Sequence, residues 1–492
     1  MRRAVLLTAT AVLLLAPTVL AFYSGGYFDK PRLIATIVVW LVVLGAAWVS
    51  RRPLPASGPG RLALAGLALI TVWTAASLSW APLSDPATDS VVRLLLCLGA
   101  LIAAAALLRD RLPTRALEPV LAGGALVVIV YGLSERLLPG LVDLAESHKA
   151  YGRLEQPITY WNAEGALAAM GLVVCARLSG AQDRPAALRA AAAAAAVPLG
   201  LGVYISYSRG AIAACLVGLV VLLAAAPTWS QLRAAALAVT GGAVASGCAA
   251  ALPGVASISG SLGDREIDGA VMLVVLVLVM AAAAAVTLRL TRGEHSGAVR
   301  TGRLRMAGRL PALAGVALAL GLAVLVAGAL AERGADNQER RRGAARLASV
   351  ESRRYDYWRV ALDAYGEHPL RGIGAGGFRV EWLRERPVRE GALEVHSLPL
   401  EMLVELGLPG LLGFGLMVGG IAVAGGRALQ RGADVAPGAA SVATVWLLHA
   451  SIDWDWQLPA VALPALIAAG ALIAASEQRA RAAREPSAGS TA

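Results

Sequence analysis

Titratable and cationic side chains stand at the edges of apolar runs in this sequence, where a membrane protein can do chemistry. His396 precedes the run that begins near Leu400, and a neutral imidazole there can take a proton from a hydroxyl near pH 7. Arg209 begins another run, and an arginine at a membrane boundary binds an anion, pairs with an acid or extends its side chain to water. The alternative for His396 is a packing or capping role.

Further polar residues occupy the same kind of position. Glu401 and Glu405 follow that histidine, where they either orient the imidazole or interact favourably with the dipole at the start of a helix. Asn162 stands at the start of another apolar run, as a cap or a substrate contact. His449 and Asp453 have the i, i+4 spacing that places two side chains on one helix face.

The polar segment from Arg354 to Tyr365 has helical periodicity. Its aromatic and apolar side chains form one stripe, made of Tyr355, Trp358, Leu362 and Tyr365. This stripe predicts either a helix at the membrane interface, where Trp and Tyr rings are favoured, or a site in which Trp358 flanks a sugar or a lipid headgroup. The glycine-rich stretch 370–378 that follows predicts a tight turn.

The elements that must position these residues are membrane helices. Of the 492 residues, 57% are hydrophobic and only 16% charged, which is too few charges for a soluble chain of this size. Apolar runs of about 20 residues recur along the chain and are too continuous for barrel strands. We therefore predict an all-α polytopic membrane protein with about fourteen transmembrane helices, at 4–23, 32–50, 62–80, 90–108, 116–135, 160–177, 188–206, 210–227, 232–252, 267–288, 310–330, 400–424, 437–452 and 457–475.

Arginine-rich loops alternate with arginine-poor loops, which predicts the orientation of the chain. The net charge of +11 comes from these loops, so we expect a lipid bilayer and no nucleic acid as partner. Both termini are predicted to be cytoplasmic, and a cleaved signal peptide at the N-terminus is the alternative. The chain divides into a helical region at 1–330, a long external loop at 331–399 with short helices, helices at 400–475 and a cytoplasmic tail at 476–492.

We predict no metal and no cofactor. Asp453 and Asp455 have the Asp-x-Asp spacing that some sugar-nucleotide transferases use for a metal ion, but they are predicted to lie outside the cell, where no sugar nucleotide is expected. The four cysteines lie inside apolar runs, where free thiols are ordinary packing residues, at Cys97, Cys175, Cys215 and Cys248.

The combination of motifs resembles the O-antigen ligase and O-antigen polymerase family of bacterial membrane glycosyltransferases. Arg354-x-x-x-Trp358 is followed by His368-Pro369-Leu370-x-Gly372-x-Gly374-x-Gly376-x-Phe378, then by His396 and Leu403-x-Glu405-x-Gly407-x-x-Gly410. Ser208-Arg209-Gly210-Ala211 and the stretch LLHASIDWDWQLPAVALPALI near the C-terminus also match.

The resemblance implies a metal-independent, inverting transfer. A glycan carried on undecaprenyl pyrophosphate is moved to an acceptor hydroxyl at the outer face of the cytoplasmic membrane. In this hypothesis Arg209 and Arg354 bind the pyrophosphate and His396 acts on the acceptor hydroxyl. Trp358, Glu405, His449, Asp453 and Asn162 are then candidates for substrate binding.

Two other classes of protein remain open. A transporter or flippase of lipid-linked sugars would also have many helices, although it would usually show internal repeats and charges deeper in its spans. A non-catalytic envelope-assembly protein is the other alternative. Within the enzyme class, the sequence does not separate a polymerase from a ligase, or a glycan acceptor from a lipid or protein acceptor.

Overall fold

A computed structural model of the chain describes residues 1–50, 52–145, 147, 150–299, 302 and 354–478. Eleven helices within these residues are long and apolar enough to cross a membrane, which confirms the predicted all-α polytopic architecture. The predicted span 310–330, the first part of the long loop and nearly all of the C-terminal tail lie outside the described residues. The helices are α1 (Arg2–Ala21), α2 (Asp29–Val49), α3 (Gly58–Ser77), α4 (Ser84–Leu107), α5 (Arg111–Leu137), α6 (Trp161–Gly180), α7 (Ala186–Ile205), α8 (Arg209–Ala225), α9 (Trp229–Ala250), α10 (Pro253–Ala256), α11 (Leu262–His295), α12 (Arg354–Glu367), α13 (Phe378–Glu385), α14 (Leu398–Gln430), α15 (Ala436–Ala450) and α16 (Pro459–Glu477).

The connections between helices gather at two ends of the bundle. At one end, Arg109 in the connection between α4 and α5 forms a 2.7 Å ion pair with Glu477 at the end of α16. At the other end, the ring of Tyr27, between α1 and α2, lies 5.6 Å from that of Trp454, between α15 and α16. We call these the Glu477 end and the Trp454 end. Connections that alternate along the sequence thus lie at opposite ends, as the arginine pattern predicts.

Small residues allow the helices to pack closely. Gly66 in α3 lies so near α14 that an added Cβ would stand 2.4 Å from the backbone nitrogen of Met417 and 2.5 Å from the carbonyl oxygen of Gly413. Helices α6 and α16 are buried along their apolar lengths, whereas most of α11 faces outward. The bundle therefore has α6 and α16 at its centre, and both begin at the Trp454 end.

Helices α12 and α13 form a second, smaller core at the Trp454 end. Its buried side chains include Tyr357, Val360, Phe378, Trp382 and Val395. The aromatic stripe predicted for α12 is therefore out of phase with the face that is buried. Leu362, which belongs to the predicted stripe, is 49% exposed. The packing partners of α12 come from α13 and α14, so periodicity within α12 could not identify its buried face.

Candidate functional site

The glycine-rich stretch is a backbone junction between the small core and α14. Gly372 has a φ of +72° and an added Cβ would stand 2.3 Å from the carbonyl oxygen of Glu405, so only glycine fits there without strain. The backbone nitrogen of Gly374 donates to the same carbonyl over 2.9 Å. Helix α14 is interrupted at this level by Gly407, whose φ is +64°. The stretch is a tight turn, as predicted, and its geometry fixes the start of α14.

The side chain of Glu405 belongs to this junction. Its carboxylate accepts hydrogen bonds from the backbone nitrogens of Gly376, over 2.8 Å, and Phe378, over 3.3 Å. These bonds tie α14 to the first turn of α13. The sequence predicts that Glu405 orients His396, interacts with the helix dipole or touches substrate. Its hydrogen bonds show that it also holds the glycine-rich stretch.

His396 is held as a neutral base. Its Nδ1 lies 2.9 Å from the carbonyl oxygen of Glu394, and because a carbonyl can only accept, Nδ1 carries the hydrogen. Nε2 is therefore the unprotonated nitrogen. Burial lowers the pKa of His396, an effect that the negative charge of Asp453 only partly opposes. The ring remains partly exposed, between the rings of Tyr357 and Trp454 at 5.0 and 6.4 Å.

Arg354 meets a buried carboxylate. Its Nη2 donates to Oδ2 of Asp453, a residue with no exposed surface. Asp453 also accepts from the hydroxyl of Tyr160 over 2.6 Å and from the amide nitrogen of Asn162 over 2.8 Å. Burial alone would raise the pKa of Asp453, but the Arg354 guanidinium and the nearby histidines hold it below its usual value. The carboxylate is thus ionised and fixes the guanidinium at the Trp454 end.

His449 is bonded to Asp455 and to Ser208. The sequence predicts that His449 and Asp453 lie on one helix face. This prediction is wrong, because α15 ends at Ala450 and Asp453 lies in the following connection. Nδ1 of His449 stands 2.9 Å from Oδ2 of Asp455, and Nε2 stands 3.4 Å from the hydroxyl of Ser208. All three side chains are buried, so His449 lies inside the protein, behind the candidate site.

Arg209 is the first residue of α8 and directly follows Ser208, a member of this buried group. Ser208 is the N-cap of α8 and accepts from the backbone nitrogen of Ala211 over 3.2 Å, so the bond to His449 also fixes the first turn of α8. Gly210 packs against the same imidazole, since an added Cβ would stand 3.4 Å from its Nε2. Arg209 itself is half-buried at the Trp454 end.

Trp358 stands apart from the polar network. It is partly exposed, packs against the small core and meets the ring of Tyr355 edge to face, with the ring centroids 5.3 Å apart. The structure thus brings Arg354, Asp453 and Asn162 into one hydrogen-bonded group, with Arg209, His396 and His449 around it, and leaves Trp358 and Glu405 at its margin.

Sequence reasoning missed several residues of the site. Tyr160 lies two positions before Asn162, and Glu394 lies two positions before His396, so both could have been found by searching the neighbours of the chosen residues. Asp455 was considered only as a metal ligand. Among the described residues, no group of three or more His, Cys, Asp or Glu side chains is arranged to hold a metal ion.

Comparisons with known proteins gave a match to one family model and no match to a curated protein. None of the curated proteins compared with the chain matches it. The model of a protein family described as O-antigen ligase matches residues 194–415, which include Arg209, Arg354, Trp358, His396 and Glu405. Asn162, His449 and Asp453 lie outside the matched region. The match indicates a glycosyltransferase-like membrane enzyme in the biosynthesis of cell-surface polysaccharide. Over residues 194–415, this chain is similar to the O-antigen ligase family.

Proposed function

We propose that this protein transfers a glycan from a polyprenyl pyrophosphate, such as undecaprenyl pyrophosphate, to an acceptor hydroxyl. The reaction takes place at the outer face of the cytoplasmic membrane, with the Trp454 end outside and both chain termini in the cytoplasm. The acceptor is a hydroxyl of a second glycan, a lipid or a protein. The observation that carries the proposal is a neutral imidazole beside a guanidinium that is fixed by a buried carboxylate.

The proton moves to His396. Its Nε2 takes the proton of the acceptor hydroxyl as the hydroxyl oxygen forms a bond to the anomeric carbon of the donor sugar. The imidazolium that forms is stabilised by the negative charge of Asp453, which favours the charged form of His396. The bond between the Glu394 carbonyl and Nδ1 keeps the ring in the tautomer that this step needs.

The leaving group moves toward the arginines. As the bond between the anomeric carbon and the pyrophosphate oxygen breaks, the polyprenyl pyrophosphate departs with the electron pair. Arg354 and Arg209 neutralise the charge that develops on it through charge-assisted hydrogen bonds. Attack and departure on opposite faces of the sugar invert the anomeric centre. The positive charge in this step comes from the two guanidiniums, so the proposal includes no metal ion.

Reconstitution tests the proposed function. Purified protein in proteoliposomes is given a polyprenyl-pyrophosphate-linked glycan and its products are separated by mass. We expect a larger lipid-linked glycan or a glycosylated acceptor, together with free polyprenyl pyrophosphate, and loss of both in His396→Ala at unchanged protein yield. Equal product from His396→Ala would remove this residue from the mechanism. Passage of the glycan across the bilayer without any new covalent product would favour a flippase instead.

A further inference from the structure

A polar cavity of about 80 Å³ opens beside the proposed site. It is lined by the first turns of α2 and α4, the glycine-rich stretch, and the connections that precede α14 and α16. Glu394 joins the cavity to the site, because its side chain lines the cavity while its backbone carbonyl bonds His396. The mechanism proposed above uses none of the cavity's side chains.

Three guanidiniums line this cavity with unused donors. Within the described residues, Nε has no hydrogen-bond partner in Arg32, Arg93 or Arg379. Arg32 and Arg93 are only 3% and 4% exposed, so these donors are also out of bulk water. An unsatisfied buried donor is unfavourable, because it has lost its hydrogen bonds to water without gaining others. The cavity therefore has hydrogen-bonding capacity that its own walls do not satisfy.

The charges around the cavity nearly cancel. The three arginines face four acidic side chains, namely Asp29, Asp89, Glu394 and Glu405. Burial, and then the neighbouring charge of Glu405, raise the pKa of Glu394 to about 7, so this carboxyl is close to half-protonated at neutral pH. The lining therefore carries no net positive charge that would favour a phosphate group over a neutral ligand. A neutral ligand with several hydroxyls, which both donate and accept hydrogen bonds, suits this mixture of partners.

The cavity also has an entrance, and a row of aromatic rings connects it to His396. At its mouth the ring of Phe28 is 59% exposed and the side chain of Asp29 is 83% exposed. Tyr27 lines the cavity, its ring lies 5.6 Å from that of Trp454, and Trp454 lies 6.4 Å from the ring of His396. Trp454 is partly exposed, so it offers a ring face between the cavity and the base. About 80 Å³ holds two or three waters or one edge of a sugar ring.

We propose that this cavity is a binding site for the acceptor glycan, taking hydroxyl groups of a sugar close to the one that is being joined. The proposal rests on the proposed function, since it makes the second substrate a glycan. The sugar edge enters the cavity and forms hydrogen bonds with the polar side chains that line it. The adjoining sugar lies over Trp454 with its hydroxyl at His396.

Direct binding tests the site without catalysis. The probe is the oligosaccharide released by mild acid from the host's own lipid-linked glycan, and saturation-transfer NMR on the full-length protein reports its binding. We expect binding to be about tenfold weaker in Arg379→Gln and in Asp89→Asn, because each loses a charged hydrogen-bonding group. The matched control is Arg384→Gln on the same helix, whose side chain is 65% exposed and pairs with Glu381. Equal binding by the wild type and both cavity variants would overturn the proposal.

Kinetics and competition separate the proposal from its nearest rival. In Arg379→Gln and Asp89→Asn we expect the KM for the acceptor to rise about tenfold while kcat and the KM for the donor stay within about twofold. If inorganic pyrophosphate displaces the oligosaccharide, or if the donor KM rises instead, the cavity binds the donor headgroup and the proposal is wrong. Oligosaccharide binding in a protein that transfers nothing would refute the proposed function and leave the cavity assignment standing.

Discussion

Replacing Asp453 by Asn should slow glycan transfer without leaving a cavity in the protein. The two side chains have nearly the same size, but the change removes the charge that faces Arg354 and replaces one acceptor oxygen by an NH₂ group. Removing one partner of a fully buried ion pair costs about 3–5 kcal/mol. The side chain of Arg354 is 24% exposed, so water screens part of this loss and about 2–3 kcal/mol is the better figure. When this loss is taken as a loss of transition-state stabilisation, at about 1.4 kcal/mol per factor of ten, transfer should slow by roughly 30- to 150-fold.

The assay is glycan transfer in proteoliposomes, with the temperature midpoint of unfolding measured on the same preparation. The matched control is Asp356→Asn, which removes a carboxylate from α12 itself, where Asp356 pairs with the exposed Arg359 over 3.6 Å. A surface pair of that kind is worth at most about 1 kcal/mol, so the control should transfer normally. Transfer by Asp453→Asn within threefold of the wild-type rate would refute the idea that this carboxylate fixes the catalytic guanidinium.

Three further predictions concern the base, the second arginine and the glycine-rich stretch. Because burial lowers the pKa of His396, the neutral base persists below pH 6.5, and the transfer rate should fall only as the pH drops through that lowered pKa. In Asp453→Asn the acid limb of the pH–rate profile should move to still lower pH, because the charge of Asp453 favours the charged imidazole. Arg209→Lys should reduce the transfer rate about tenfold or more at normal expression, since lysine lacks the planar fork of hydrogen-bond donors. Transfer at the wild-type rate in this variant would mean that the Arg209 side chain only extends to water. Gly374→Ala should lower the midpoint of unfolding by an amount equivalent to about 1–3 kcal/mol, because its φ is +91° and a Cβ would stand 2.5 Å from the Cα of Ala81. Gly366→Ala, where no atom lies within 4 Å of the new Cβ, should leave the midpoint unchanged or raise it.

The helices could be predicted from the sequence because their signals are local. A run of about 20 apolar residues has few alternatives in a membrane, and every predicted span that falls on described residues corresponds to a helix. Because each of these helices crosses the bundle, the connecting loops alternate between its two ends. It explains why Asn162, Arg354 and His396, chosen as residues at one predicted face, do lie at the same end of the bundle.

The pairing of residues within the site could not be predicted in this way. Asp453 bonds Asn162 across a sequence separation of 291 residues, and that contact depends on how each helix is rotated about its axis. The error over His449 and Asp453 has a local cause: Asp453 lies three residues beyond the end of α15 at Ala450, where the i, i+4 rule no longer applies. Glu405 was placed on the correct helix, but its partners are backbone groups of a turn, which leave no pattern in the sequence.

The contact between Arg354 and Asp453 also has a consequence for how the protein is made. The two residues are separated by 99 positions, and the carboxylate belongs to the connection between the last two helices. During synthesis the guanidinium emerges well before its counterion. The guanidinium of Arg354 acquires its fixed position only when α15 and α16 have folded against α6. In the proposed mechanism, a nascent chain therefore cannot transfer a glycan until these two helices are in place.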